Sequence, residues 1–186
     1  MKKFIILGTF LLCAISFTAQ EHFSFRDIPI NGSEIEVGNK LNELGYKSTN
    51  NPSVFTGKFI GEDCSVFLLT SNYTNNVYSI VINFESKNKW SSLKSDFNKI
   101  KKMYSEKYGK PARSLETFDS PYYDGDGYEL SAIKNDKCNY ACIWNLDNGS
   151  IMLTISTECS IVIYYSDKIN EERNKKAKEN SAKDEI

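Results

Sequence analysis

The sequence predicts an α+β protein in which two helices pack on one face of a mainly antiparallel sheet. Two segments, residues 34–44 and 90–108, carry apolar residues at helical spacing. Short runs rich in β-branched and aromatic residues follow each of them and are separated by turns. This order of elements predicts two tandem units, each a helix followed by antiparallel strands.

The first 20 residues have the three parts of a secretory signal peptide. Lys2 and Lys3 form a basic beginning, an apolar run of about a dozen residues follows, and small residues come next. The run is shorter than the ~20 residues that cross a bilayer. We therefore expect residues 1–20 to be a signal peptide and the mature protein to be periplasmic or secreted. Cys13 is a candidate for lipid attachment, although Leu12 stands where a lipoprotein has a small residue.

The composition of the mature chain argues against several classes of partner. We expect cleavage near residues 16–20 and a mature start at Gln20 or Glu21. Without Lys2 and Lys3, 21 basic residues stand against 24 acidic ones, a formal charge of −3. That charge is too close to neutral to favour nucleic acid or an anionic membrane surface. After the signal segment, no apolar run is long enough to predict a transmembrane span.

The first predicted unit covers residues 28–86. A short strand is expected within residues 23–30, before Ser33 and Glu36 form a capping box that begins the helix over residues 34–44. Gly45 is placed to end that helix. The strands that follow are predicted at residues 53–60, 64–70 and 77–85. The chain from residue 21 to 167 is therefore interpreted as one domain with a loose repeat.

The second predicted unit covers residues 87–167 and begins with the clearest helix of the chain. Trp90, Leu93, Phe97 and Ile100 recur at helical spacing and are expected to contact the strands. Strands are predicted at residues 114–118, 128–133, 139–146, 151–156 and 159–165, with a tight turn at residues 147–149. The charged segment 168–186 is expected to be a helical tail that frays into disorder.

Two similar stretches support the repeat. GEDCSVFLLTS occupies residues 61–71 and STECSIVIYYS occupies residues 156–166. Each places an acidic residue, a cysteine and a serine before a β-branched run. We interpret them as strands that pack against similar neighbours in the two units.

Four cysteines follow the signal segment, and they permit either two disulfides or buried free thiols. Cys138 and Cys142 are about 13 Å apart if both lie on one strand, which is too far for a disulfide. The turns on either side of residues 151–156 bring Cys138 and Cys159 to the same end of the sheet, so this is the pair we predict. Cys64 has no assigned partner. The functional alternative is a redox role for Cys138 and Cys142.

The loop of residues 124–129 is the one candidate metal site. Asp124, Asp126 and Glu129 bring carboxylates together among glycines, as a calcium loop does. The EF-hand spacing is not met, however, and a turn between strands explains the same residues. His22 is the sole histidine, so neither a catalytic triad nor a zinc site is indicated. We expect no cofactor.

Three segments carry a resemblance to known proteins. They are IPINGSEIEVGNKLNELGY, the pattern W-x2-L-x3-F-x10-YGKP from residue 90, and WNLDNGSIMLTI at residues 144–155 with the later YYSD. Over nearly the whole mature chain they resemble a family of small exported proteins of Gram-negative bacteria that has no assigned activity. The tandem layout is also similar to the β-lactamase-inhibitor-protein-like fold and, in each half, to outer-membrane lipoproteins of the SmpA/OmlA type. These resemblances imply layout only, and no site residue carries over.

We therefore expect a non-catalytic binding module of the bacterial envelope, with another envelope protein or a small ligand as its partner. The alternative is an envelope enzyme, or a calcium- or thiol-dependent protein, that uses the loop 124–129 or Cys138 and Cys142.

Export can be tested by fractionating producing cells and measuring the intact mass of the protein. We expect a periplasmic or secreted chain that begins near Gln20 or Glu21, because the basic, apolar and small-residue regions match what signal peptidase recognises. A cytoplasmic chain that keeps Met1 would contradict export. A chain with acyl groups on Cys13 would contradict the soluble form.

Overall fold

Eight strands form one antiparallel sheet in the computed structural model, which describes residues 21–184. The signal peptide prediction lies outside the described residues. The strands of the sheet are β3 (Lys47–Ser48), β4 (Val54–Phe59), β5 (Glu62–Thr70), β6 (Val77–Phe84), β7 (Arg113–Phe118), β8 (Cys138–Asn145), β9 (Gly149–Ile155) and β10 (Ile161–Asp167). Before them, β1 (Ser24–Phe25) and β2 (Ile28–Pro29) form a separate hairpin. The helices are α1 (Glu34–Glu43), α2 (Trp90–Tyr108), α3 (Glu129–Lys134) and α4 (Lys168–Asp184).

The strand order is β3-β4-β5-β6-β10-β9-β8-β7, and every neighbouring pair is antiparallel. The order consists of two four-stranded meanders, one following α1 and one following α2. They join through their last strands, β6 and β10. The predicted α+β class, with a mainly antiparallel sheet, is confirmed.

The two cysteine-containing stretches do not occupy equivalent strands. Cys64 lies in β5, the third strand of its meander, whereas Cys159 lies in the turn before β10, the fourth strand of the other. The two strands flank β6 on its two sides. We attribute the similarity of the two stretches to their shared neighbour, strand β6. The two halves of the chain correspond in the order of their elements, not in the positions of these residues.

One face of the sheet carries the hydrophobic core. Cross-strand pairing places buried side chains in a continuous row from β4 to β8: Phe55, Val66, Ile82, Ile163, Leu153 and Cys142. Because side chains alternate along each strand, this register buries every second residue on the same side. The first helix covers part of this face.

Helix α1 begins at the predicted capping box. The Ser33 side chain accepts a hydrogen bond from the Glu36 backbone, and the Glu36 carboxylate accepts one from the Ser33 backbone. Val37 and Leu41 are fully buried against the sheet. Gly38 permits this close approach, because a Cβ there would lie 2.8 Å from the Phe55 ring.

Helix α2 packs on the same face beside β9 and β10. Leu93, Phe97 and Ile100 are buried, and the Phe97 ring lies edge-on to Tyr140 of β8 with centroids 5.5 Å apart. The predicted contact between this helix and the strands is therefore confirmed. Trp90 is partly exposed at the beginning of the helix and packs against Tyr140 and Phe118.

The strand predicted at residues 128–133 is wrong, because Glu129–Lys134 form helix α3. Its buried residues, Glu129, Ala132 and Ile133, are spaced three and four apart, which is a helical pattern that the β-branched Ile133 obscured. The strand predicted to begin at residue 159 begins at Ile161 instead. Cys159 has a φ of 57°, and this left-handed turn conformation lies outside a strand.

Residues Lys168–Asp184 form helix α4 at the place of the expected helical tail, and the beginning of this helix is buried rather than solvated. Asp167 is fully buried, and its carboxylate accepts hydrogen bonds from the backbone of Phe23 at 2.7 Å and of Asn170 at 2.8 Å. His22 Nδ1 lies 3.0 Å from the same carboxylate. Asn170 is also buried and donates to the carbonyl of Ile30. The beginning of α4 is thus bound to the N-terminal segment, and its later residues are mostly exposed.

The contribution of α2 to stability can be measured with Phe97→Ala. We expect a loss of about 3–5 kcal/mol in the free energy of unfolding, because the substitution leaves a cavity between the helix and Tyr140. Lys99→Ala on the exposed side of the same helix is the control and should change stability by less than about 0.5 kcal/mol. Equal effects of the two variants in denaturant titrations would contradict the packing described here.

Candidate functional site

The acidic loop 124–129 is held by its own hydrogen bonds. Asp124 accepts a hydrogen bond from Trp90 Nε1 at 2.9 Å and forms an ion pair with Lys94. The hydrogen bond from Lys94, followed by that from Trp90, lowers the pKa of the Asp124 carboxyl. The carboxylate therefore connects the loop to α2.

The other two carboxylates of the loop have different partners. Asp126 accepts from the backbone N–H groups of Tyr123 at 3.0 Å and Tyr128 at 2.7 Å. Glu129 is buried and accepts from the Gly125 backbone at 2.8 Å. The three carboxylates thus do not converge, and within residues 21–184 no three His, Cys, Asp or Glu side chains are arranged to hold a metal ion. The loop is a turn that its carboxylates stabilise.

The four cysteines of the described chain are free thiols, so the predicted disulfide between Cys138 and Cys159 is wrong. The turns did bring the two residues to the same end of the sheet, because, besides burial, Cys159 contributes to the raised pKa of Cys138. Cys159 lies in the turn before β10, where its φ is 57°.

Burial also makes these thiols unreactive. It raises the pKa of Cys64 and of Cys138 to about 11, and it raises the pKa of Cys142 as well. A thiol with such a pKa is protonated at neutral pH, whereas the thiolate is the nucleophile. Cys142 Sγ lies 3.3 Å from Ser114 Oγ, deep in the core row. A redox role for Cys138 and Cys142 finds no support in this geometry.

The sheet face opposite α1 and α2, here called the open face, carries a line of apolar side chains. Each member pairs with the next across neighbouring strands from β4 to β8. We call this line the apolar stripe, and its members are Val54, Phe67, Val81, Tyr164, Met152 and Ile143. All except Val81 are partly exposed.

The rows beside the apolar stripe contain no charged residue. On one side are Thr56, Ser65, Asn83, Val162, Thr154 and Ala141, and on the other are Leu69, Ser79, Ser166, Ser150 and Asn145. Val81 and Val162 are buried although they lie outside the core cluster, and α4 packs against β6, β9 and β10. Ser166, in one of the two rows, lies beside Glu171 of α4. The stripe is therefore bordered by uncharged residues of the strands themselves.

A cavity of about 290 Å³ opens at the margin of the helix-covered face, between the β1–β2 hairpin, the β4–β5 turn and α2. Its lining includes Phe59, Ile60, Met103, Tyr104, Tyr108 and Tyr165, with Arg26, Asp27 and Lys107 at the charged positions. We call it the tyrosine pocket. Its volume is near the lower end of the range for small-molecule sites.

Two buried hydroxyl groups meet in the tyrosine pocket. The hydroxyls of Tyr104 and Tyr165 hydrogen-bond to each other, and the two residues are only 6% and 5% exposed. Burial raises the pKa of both phenols above the ordinary value for tyrosine. Both hydroxyls therefore keep their protons at neutral pH, and one of them donates to the other, with either able to be the donor.

The turns that border the tyrosine pocket have unusual backbone angles. Arg26 and Asp27 have φ values of 46° and 66°, which a two-residue hairpin turn requires. Ile60 has a φ of 48°, and for a β-branched residue this conformation is strained. The turn consists of Ile60 and Gly61, and at its first position Asn adopts this conformation more readily than Ile does. The presence of Ile60, whose side chain lines the cavity, indicates that the apolar wall matters there.

A wider cavity of about 630 Å³ lies near the β4–β5 edge of the sheet, lined by Tyr46, Lys58, Asp63 and Cys64 among others. Two of its four charged residues pair with each other, with Lys58 Nζ 3.1 Å from Asp63 Oδ1. We place more weight on the smaller tyrosine pocket, because there a buried polar pair faces an apolar cavity.

Neither the apolar stripe nor the tyrosine pocket was identified from the sequence. Alternation did indicate apolar faces in single strands, but the stripe depends on the register among six strands. The pocket combines residues from β1–β2, β4, α2 and β10, and no local spacing relates them. The only local signal was the charged pair Arg26-Asp27 between two apolar residues of a short hairpin.

Comparison of the chain with models of known protein families, with curated proteins and with solved structures found no match. Within residues 21–184, no helix has the length and apolar character that a bilayer crossing requires. The fold is thus that of an α+β protein with a mainly antiparallel sheet, in which α1 and α2 cover one face and α4 packs against β6, β9 and β10.

Thiol titration tests the cysteine geometry. Near neutral pH we expect the native protein to react slowly with a thiol reagent such as DTNB. The rise in pKa from 9.0 to about 11 at Cys64 and Cys138 lowers the thiolate fraction about a hundredfold. After unfolding in denaturant, all four thiols should react. A rapidly reacting native pair, or only two thiols after unfolding, would contradict the free and buried state.

Proposed function

We propose that the chain is an exported, non-catalytic binding module of the bacterial envelope, and that the apolar stripe is the surface with which it binds another protein. The observation that carries this proposal is the cross-strand register that aligns six apolar side chains on the open face. In an antiparallel sheet with one face in water, apolar side chains normally point to the core and polar side chains to the solvated face. Here the centre of that face is apolar instead.

The chemistry of the stripe determines the kind of partner. Its six members come from six neighbouring strands, so its length is about 24 Å at ~4.8 Å per strand. An apolar surface of this size, bordered by uncharged hydroxyl and amide side chains, favours a partner surface that is also apolar and uncharged. Tyr164 and Met152, on the neighbouring strands β10 and β9, are of residue types that are enriched in protein interfaces.

Catalysis is the alternative, and the geometry favours binding over it. The loop carboxylates are engaged by local N–H groups and by Lys94, and the cysteines are buried as protonated thiols. Neither group offers a reacting atom that is poised for chemistry. Location in the envelope is part of this proposal and depends on the signal peptide of residues 1–20.

Photocrosslinking in producing cells tests the proposal. A photoreactive phenylalanine analogue replaces Met152 of the stripe, and in a matched control it replaces Ile35, which is 73% exposed on α1. We expect one discrete heavier adduct from position 152 and none from position 35. Adding Tyr164→Lys to the first variant should remove the adduct, because a charge in the stripe must be desolvated on binding.

Three results would count against the proposal. The same pattern of adducts from both positions would indicate random contact. An adduct from position 152 that survives Tyr164→Lys would place the contact elsewhere. An adduct of twice the mass of the chain would identify a second copy, rather than a different protein, as the occupant of the stripe.

A further inference from the structure

The tyrosine pocket contains a hydrogen-bond donor that the protein leaves unused. Two hydroxyl groups carry two protons, and the hydrogen bond between Tyr104 and Tyr165 uses one of them. No other acceptor within residues 21–184 forms a hydrogen bond with either hydroxyl. Tyr165 is 95% buried, so bulk water does not freely satisfy the second proton. An acceptor supplied from outside the chain would complete the pair.

The remaining groups of the pocket describe the rest of that ligand. Phe59, Ile60 and Met103 give the cavity apolar walls, and the Tyr108 ring adds an aromatic surface. Arg26 and Lys107 contribute two positive charges against the single negative charge of Asp27. Arg26 makes one long hydrogen bond, 3.5 Å from its Nη1 to the Tyr46 hydroxyl, and its guanidinium has further donors.

We propose that the tyrosine pocket binds a small organic carboxylate with a flat apolar body. The carboxylate accepts a hydrogen bond from the Tyr104–Tyr165 pair and is attracted by Arg26 and Lys107. The apolar body lies against Phe59, Ile60 and Met103. This site is on the other side of the sheet from the apolar stripe, so the proposal stands independently of the protein-binding function.

The backbone of the β4–β5 turn is consistent with this assignment. Ile60 keeps a strained left-handed conformation and places an apolar side chain in the cavity wall. Asn would suit the same backbone with less strain but would give a polar wall. Strain that persists at a cavity is the pattern expected of a residue retained for binding.

Isothermal titration calorimetry of the purified chain with matched probes tests the proposal. The probes are phenylacetate, 3-phenylpropanoate and indole-3-acetate, each compared with its neutral primary amide. We expect saturable binding of at least one carboxylate, about ten- to hundredfold tighter than its amide, because hydrogen bonds to a charged acceptor are the stronger ones.

The double variant Tyr104→Phe, Tyr165→Phe separates the roles of the donor and of the walls. It replaces both partners of a buried hydrogen bond by apolar groups of similar shape, so the protein should stay folded in a thermal unfolding measurement. We expect its preference for carboxylate over amide to fall about tenfold, because the Tyr104–Tyr165 donor is lost while Arg26 and Lys107 still attract the carboxylate. Tyr140→Phe, at a buried tyrosine outside the pocket, is the matched control and should leave both affinities unchanged.

Ile60→Asn provides a second and different readout. It should weaken carboxylate and amide alike, because it changes the wall and leaves the donors in place. No saturable binding of any of the three carboxylates, equal affinity for carboxylate and amide, or a preference that the double variant leaves undiminished would each overturn the proposal. The last result would place the carboxylate at Arg26 and Lys107 alone.

Discussion

The structure depends on the antiparallel pairing of β6 with β10. These are the last strands of the two meanders, and they are joined from Asn83 opposite Val162 to Ser79 opposite Ser166. The core row and the apolar stripe both cross this junction, through Ile82 and Ile163 on one face and Val81 and Tyr164 on the other. A shift of one residue would exchange the two faces for half of the sheet. The register of one strand pair therefore decides which side is core and which is open.

Asp167, at the end of β10, connects this junction to the rest of the chain. Its buried carboxylate binds backbone N–H groups from the N-terminal segment and from the first turn of α4. An ionised carboxylate with several N–H donors is the kind of partner that offsets the cost of burying a charge. By holding Phe23, Asp167 positions the β1–β2 hairpin, and the hairpin supplies one side of the tyrosine pocket. The pocket is thus a consequence of how the N-terminus is anchored.

The two faces of the sheet follow from the same alternation but have different chemistry. On the covered face, α1 and α2 exclude water, and a cavity remains only where the N-terminal hairpin meets α2. On the opposite face, the register aligns the apolar side chains of the stripe, and α4 packs against β6, β9 and β10.

The sequence by itself determined the features that local physics controls. These include the capping box of Ser33 and Glu36, the helical stripe from Leu93 to Ile100, and most strands, because each is encoded within a few neighbouring residues. It misjudged helix α3, where a β-branched residue obscured a helical pattern. It also misjudged the Cys138–Cys159 pair, whose two thiols are free. Only the tertiary structure decided strand order, register and the pocket, because these depend on contacts between residues as distant as Tyr104 and Tyr165, or His22 and Asp167.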